Sequence, residues 1–346
     1  MTILVTGGAG LVGSHLLAAL RARSERPRAL VREHSRAFVE ALGAEAIVGD
    51  VTDAVTWQRA ANGARTIIHA AALVASRASL DEYIRVNVGG TRLAIEAARR
   101  AGARLVHISS VAVYGRTAVY AAGEDGVTET FPFQPLPASD FYARSKRAAE
   151  QLVLQEAGAG GGLSAIAIRP NIIYGTGDKL FTNRVIAVAR RGIVPLIGPA
   201  TNHLSCVYAG NVASAILAAA DAPAAEGFRA YNVTRDAPPQ LNQREFLAAF
   251  ARAIGREPRF VPIPVFLARM GVTVWGALLH LIQPFRYSGL AGAAIAFVTG
   301  ENPFSVAKIR GELGWTPPFD TRAAIARTVA GQTGAAQNKS PGRARA

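Results

Sequence analysis

The chain has 346 residues, half of them hydrophobic and 18% charged, a length for about two domains and a composition too apolar for a disordered polymer. Net charge is +14, but the arginines are spread along the chain and no basic run is interleaved with aromatics, so no nucleic-acid partner is expected. The charge reads either as arginine-rich composition or as attraction to an anionic cofactor, substrate or lipid, while the single cysteine, Cys206, excludes an internal disulfide framework and fits a reducing, cytoplasmic compartment.

An apolar strand is expected at Ile3 to Val5, which leaves no room before it for a cleaved signal peptide. It runs into Gly7-x-x-Gly10-x-x-Gly13, and an amphipathic helix follows with Leu16, Leu17 and Leu20 on its apolar side. Strand, glycine turn and helix form the context of a dinucleotide-binding motif. Gly7 allows the turn, Gly10 lets backbone approach a pyrophosphate, and Gly13 lets the helix pack on the strand. The pyrophosphate would rest on the helix N-terminus. Gly7, Gly10, Leu11, Val12 and Gly13 are therefore candidate cofactor contacts, against the alternative of a tight turn with no ligand.

Further strands are expected at 28–31, 46–48, 66–69 and 104–108, with helices at 12–22, 36–42, 54–61, 80–100 and 141–157, and a strand from Ser164 to Ile168. The alternation predicts an α/β fold, a Rossmann-type doubly wound parallel sheet with a smaller C-terminal substrate-binding lobe. The expected division is a dinucleotide-binding domain at 1–170, a lobe at 171–330 with segments returning to the sheet, and a disordered basic tail at 331–346. Arg32 stands just past the second strand, where an acid gripping an adenosine ribose is expected about 20 residues after the glycines. Arg32, with Arg36 nearby, suits a 2′-phosphate, which favours NADP(H) over NAD(H). Glu33 could still serve the ribose of NAD.

Three later motifs carry chemistry. His69-Ala70-Ala71-Ala72 is a small-residue strand end beside which a cofactor can lie. Val106 to Gly115 is a strand ending in hydroxyls, and Ser110 could hydrogen-bond a substrate oxygen as its charge develops, with Ser109 as the close competitor. Tyr142 and Lys146 are spaced i, i+4 in a helical segment, so phenol and ammonium share one face. A nearby cation lowers a phenol's pKa and would suit Tyr142 to proton exchange. No metal is expected.

The order of these motifs resembles the extended short-chain dehydrogenase/reductase family, also called the NAD-dependent epimerase/dehydratase family. The matching residues are Thr6–Gly13, Gly49–Asp53, His69–Ala72, Asn87–Thr91, Ser109–Gly115, Tyr142–Lys146 and Arg169–Gly175. The resemblance implies that Ser110, Tyr142 and Lys146 are the catalytic triad and that Lys146 also holds the nicotinamide ribose. It implies that Asp50 and Val51 contact adenine and that Asn87 orders the active site. Pro170 and the backbone after it, at Ile172 and Ile173, would meet the nicotinamide carboxamide. Segments 169–178, 207–213, 261–264 and 304–317 look like the 3β-hydroxysteroid dehydrogenase-like branch, which acts on sterols and other apolar alcohols.

These features together predict an NAD(P)-dependent oxidoreductase that interconverts a secondary alcohol and a ketone on an apolar small molecule. The alternative is a nucleotide-sugar 4-epimerase or dehydratase using bound NAD; Leu204 stands near the place where such enzymes carry an arginine. Residues 260–298 are unusually hydrophobic, and Met270 to Gln283 carries no formal charge, too short a run to span a bilayer. Three readings stay open for 260–298: a buried or lid helix of the substrate lobe, a peripheral contact with the inner membrane face or a channel for a greasy substrate, or a homodimer interface.

Overall fold

The computed structural model describes residues 2–74, 78–115, 126–158, 162–223, 225–271 and 290–337. In chain order the strands are β1 (Thr2–Thr6), β2 (Arg28–Val31), β3 (Glu45–Val48), β4 (Ala64–His69), β5 (Arg104–Ile108), β6 (Ser164–Pro170), β7 (Ile172–Tyr174), β8 (Ile193–Ile197), β9 (Cys206–Tyr208), β10 (Gly227–Val233) and β11 (Arg259–Ile263). Helices α1 (Leu11–Ala22), α2 (Arg36–Ala41), α3 (Ala54–Ala61), α4 (Leu80–Tyr83), α5 (Gly90–Ala101), α6 (Phe141–Gly158), α7 (Phe181–Arg190), α8 (Ala209–Asp221) and α9 (Gln243–Ala253) intervene. Later helices cover Leu290–Thr299, Ala307–Leu313 and Thr321–Gln337.

The chain forms two compact units. The first comprises Met1–Asn171, Ala209–Thr234 and Phe304–Pro318. Its sheet has seven strands in the order β10-β6-β5-β4-β1-β2-β3, all parallel. The sequence runs outward from β1 through β2 to β3, then returns to β4 on the other side of β1. The C-terminal ends of β1 and β4 therefore flank the switch point where such sheets bind ligands.

A parallel sheet must be covered on both faces, and its strands read as apolar runs accordingly. Leu4, Leu30, Ile67 and Leu105 pack on one face with Trp57, Ala94, Ile95 and Val153. On α1, Leu16, Leu17 and Leu20 are buried, and α8, built almost wholly of small and aliphatic residues, packs beside α1. Local chemistry fixes the ends of several helices. Asp53 accepts from the amides of Val55 and Thr56 to start α3, Ser79 and Glu82 form a reciprocal cap on α4, and Gly102 closes α5 in a left-handed conformation.

One helix was expected over 80–100. Instead α4 passes through a π-helical turn, Ile84–Gly89, before α5. A π turn inserts a residue into the helical repeat and is often found at functional sites; here it contains the buried Asn87.

The second unit comprises Ile172–Tyr208, Arg235–Pro303 and Phe319–Ala346. It contains two small parallel ladders, β7 with β9 and β8 with β11. Its core gathers Tyr174, Val185, Leu204, Tyr208, Phe246, Phe250 and Ile325. The closing helix runs through Gly331 to Gln337, so the disordered-tail expectation is corrected for that stretch, where the α-helical backbone simply continues from Thr321. Residues 338–346, and 272–289 of the hydrophobic stretch, lie outside the described residues. No helix among the described residues is long and apolar enough to cross a membrane.

Candidate active site

The glycine turn is built as its spacing requires. Gly7 adopts φ +70°, and a Cβ there would lie 2.7 Å from the amide nitrogen of Ala71, just past β4. A Cβ on Gly13 would lie 2.1 Å from the carbonyl oxygen of Gly7. The Gly10 amide donates to that same carbonyl at 2.9 Å. No side chain caps α1, and its first turn holds no acidic residue. Helix geometry leaves the amides of Leu11, Val12 and Gly13 without intrahelical acceptors. A cradle that excludes any Cβ, facing an uncapped positive helix end, fits a dinucleotide pyrophosphate.

The Thr6 hydroxyl joins the two strand ends of the switch point. It meets His69 Nδ1 at 2.8 Å and accepts from the Ala71 amide at 3.2 Å. Ala70, Ala71 and Ala72 are partly exposed there. At the tips of β2 and β3, Arg32 Nε lies 3.4 Å from Asp50 Oδ2, both side chains well exposed. Partial burial pushes the Asp50 carboxyl up, but the Thr52 amide and hydroxyl and the Arg32 guanidinium outweigh it and hold it below the usual range. Val51 accepts from the Trp57 indole at 2.8 Å and packs against Gly90. Arg36 is engaged with Glu40 one turn on.

Asn87 is buried and bridges three segments. Its Oδ1 accepts from the Leu73 amide at 2.7 Å, and its Nδ2 donates to the Leu73 carbonyl and, at 2.9 Å, to the Ser145 hydroxyl. Ser145 in turn donates to the Tyr142 carbonyl at 2.8 Å. The π turn is thereby tied to the helical turn that carries Tyr142 and Lys146.

Ser110 follows β5 and caps the short 3-10 turn Val111–Tyr114, accepting from the Ala112 amide at 3.2 Å. Its hydroxyl also bonds the Tyr142 phenol. Ser109 points elsewhere; its hydroxyl is buried with no partner among the described residues. Lys146, 4% exposed, donates to the Ile108 carbonyl at the end of β5. Burial lowers its pKa from 10.5 to about 8, against the opposing pull of Glu150.

The tyrosine differs from its sequence expectation. The Tyr142 phenol is raised rather than lowered: burial dominates, the Ser110 hydroxyl pulls it partly back, and Tyr83 and Asp140 push it up. Shared helix face was the basis for expecting Lys146 to lower it, but the ammonium turns to a backbone carbonyl.

The first unit thus brings Gly7, Gly10, Leu11, Val12, Gly13, Arg32, Asp50, Val51, Ala70–Ala72, Asn87, Ser110, Tyr142, Lys146 and Pro170 to the C-terminal side of one sheet. Ile172 and Ile173 fall instead in β7 of the second unit. No group of His, Cys, Asp and Glu among the described residues could hold a metal ion.

Several residues around Lys146 were given no role from sequence. His69 and His107, neighbours on β4 and β5, stack at 5.9 Å. Burial and the Lys146 ammonium hold both neutral, His69 down to about 3. Glu150 and Arg169 form a buried ion pair at 2.5 Å. Helical spacing from Lys146 could have pointed to Glu150; Arg169 heads the Arg169–Gly175 motif, but nothing local shows that it pairs with Glu150.

A profile of the 3-beta hydroxysteroid dehydrogenase/isomerase family matches residues 4–263. A 4-hydroxy-2-methyl-3-oxo-4-farnesyl-3,4-dihydroquinoline-1-oxide ketoreductase of Stigmatella aurantiaca is 33% identical over 321 residues, covering 91% of this chain and 92% of that protein. A 3 beta-hydroxysteroid dehydrogenase/Delta 5-->4-isomerase of Mycobacterium tuberculosis is 32% identical over 335 residues, covering 93% and 88%. Among solved structures, the UDP-glucose 4-epimerase of Thermus thermophilus in complex with NAD is similar with a TM-score of 0.65 at 26% identity, covering 97% of this chain and 100% of that one. The chain belongs to the 3-beta hydroxysteroid dehydrogenase/isomerase family and is an oxidoreductase of the extended short-chain dehydrogenase/reductase type.

Proposed function

We propose that this enzyme interconverts a secondary alcohol and a ketone on an apolar small molecule with NAD(P) as cofactor. The observation that carries the reading is the gathering of Ser110, Tyr142 and Lys146 at the end of β5, on the sheet whose glycine turn excludes any Cβ at Gly7 and Gly13. The named ketoreductase and hydroxysteroid dehydrogenase relatives support the apolar substrate class.

The glycine turn with the amides of Leu11, Val12 and Gly13 would hold the pyrophosphate, and Asp50 and Val51 the adenine. Ala70–Ala72, Asn87, Lys146 and Pro170 would line the nicotinamide end, with Ile172 and Ile173 as further candidates. When bound, the nicotinamide supplies or accepts the hydride. Tyr142 gives a proton to the substrate oxygen in reduction and takes it in oxidation. Ser110 positions that oxygen with a hydrogen bond that strengthens as charge develops. A phenol kept neutral by burial suits the proton-donating, carbonyl-reducing direction at neutral pH.

NADP(H) is the preferred form in this reading, because Arg32 at the tip of β2 offers a planar cation for a 2′-phosphate once it leaves Asp50. Arg32→Asp would reverse the preference; equal affinities for both forms before and after the change would refute it. The second unit exposes Ile193, Val261, Phe266, Leu267 and Met270, with Arg259 and Arg269 exposed among them. The sequence holds no acidic residue from Pro258 to Gly300. Exposed apolar side chains interspersed with arginines, in a segment without acidic residues, support peripheral contact with an anionic membrane face, where a greasy substrate would be met.

The test is a screen of the purified enzyme with NAD(H) and NADP(H) against sterols, long-chain 3-hydroxy and 3-keto compounds and nucleotide sugars, following nicotinamide absorbance. Turnover of the apolar compounds is expected. A nucleotide sugar as far better substrate would replace this reading with epimerase or dehydratase chemistry.

A further inference from the structure

Glu150 follows Lys146 by one turn of α6, so both project from the same helix face. Its carboxylate is buried with the guanidinium of Arg169, the two side chains being 3% and 5% exposed. Arg169 reaches in from β6 and forks: Nε donates to both carboxylate oxygens at 3.1 Å, and Nη2 donates to Oε1 at 2.5 Å. Its Nη1 donates to the Tyr114 hydroxyl at 2.7 Å and the Glu129 carbonyl at 3.2 Å, and its plane lies 4.9 Å over the Tyr114 ring. The Tyr114 hydroxyl donates onward to Asn232 Oδ1 at 2.8 Å. The arginine is thus locked in place from three sides.

A buried ion pair returns in attraction about what it costs in desolvation, so stability alone gives little reason for two charges here. Their location gives a better one. Lys146 is itself buried beneath the strand ends and donates to the Ile108 carbonyl. The titratable groups acting on it come from three elements. Glu150 shares α6, while His69 on β4 and His107 on β5 are uncharged. Glu150 is the anion among them. Arg169 fixes that anion and, through Tyr114 and Asn232, ties it to β10.

We infer that Glu150, clamped by Arg169, is a positioning residue for Lys146: its carboxylate is the counter-charge that keeps Lys146 an ammonium inside the protein. The inference rests on the assignment of Tyr142 and Lys146 above, but it can be read without turnover. The chain contains four lysines, so NMR of protein labelled at lysine Cε resolves them, and Lys146→Arg identifies the Lys146 signal.

In the wild-type protein Lys146 should titrate near its lowered value of about 8. In Glu150→Gln the midpoint should fall by about one unit or more, as expected for loss of a close opposite charge. In Glu150→Asp, which keeps the charge, it should stay near wild type. An unchanged midpoint in folded Glu150→Gln overturns the inference, as does a Glu150→Asp midpoint that falls equally far. Should Glu150→Gln fail to fold, Glu150→Gln/Arg169→Met is compared with Arg169→Met instead of wild type: its Lys146 midpoint should lie about one unit or more lower, and equal midpoints overturn the inference. A Lys146 midpoint that moves while catalysis proves independent of Lys146 would refute the catalytic assignment and leave Glu150 as its counter-charge.

Discussion

Lys146→Met should separate stability from activity. The wild-type ammonium is buried, and its pKa falls from 10.5 to about 8 on folding, with burial as the main cause. A drop of about 2.5 units, at about 1.4 kcal/mol each, corresponds to about 3 kcal/mol of native-state penalty. The folded protein binds the Lys146 proton less tightly than the unfolded chain does, so stability rises with pH across the interval between the two values. The penalty is fully present below about pH 8 and relieved as pH approaches 10.5. Methionine of similar length carries no proton and has no such dependence. Urea unfolding of wild type and variant at pH 7 to 10.5 reads the difference directly, because titrations common to both cancel. The wild type should gain on the variant by up to about 3 kcal/mol over that range, while the variant has lost turnover throughout. Parallel stability curves would refute the argument, since Lys146 would then hold its proton equally in both states.

Tyr142→Phe should lower turnover by about 10²–10⁴-fold and leave NAD(P) affinity nearly intact, checked by steady-state kinetics beside cofactor titration; near-normal activity would end the acid–base assignment. Ser110→Ala should reduce kcat more than it raises KM, while Ser109→Ala should be mild because that hydroxyl does not meet Tyr142; the reverse order would move the role to Ser109. Gly13→Ala places a methyl against the Gly7 carbonyl and should cost about 1–3 kcal/mol in stability and weaken cofactor binding, read by thermal unfolding with and without NAD(P). Because burial raises the Tyr142 phenol, alcohol oxidation should climb with pH as the phenolate forms, and ketone reduction should not; equal pH profiles in the two directions would contradict it.

Local sequence was enough for the run of elements in the first half and for the identity of the glycine turn. Each of those elements satisfies a local rule: Ile3, Leu4 and Val5 form a strand that is buried on both faces, Leu16, Leu17 and Leu20 form one stripe of α1, and Gly7 and Gly13 stand where no Cβ fits. Motif order also carried the family. What depends on partners distant in the chain emerged only on packing. Gly227–Val233 has no strong strand signal of its own but completes the sheet beside β6, and Ala209–Asp221 joins α1 rather than the later lobe. The π turn that carries Asn87 is invisible in a pattern that reads as one continuous helix. The proton affinities followed the same division. Helical spacing put Tyr142 and Lys146 on one face, yet it was burial that raised the phenol and lowered the ammonium. The charge that steadies Lys146 comes from Glu150, whose own partner Arg169 arrives from another strand. Periodicity reports which side of an element faces inward; only the packed chain fixes which groups meet there and how little water they share.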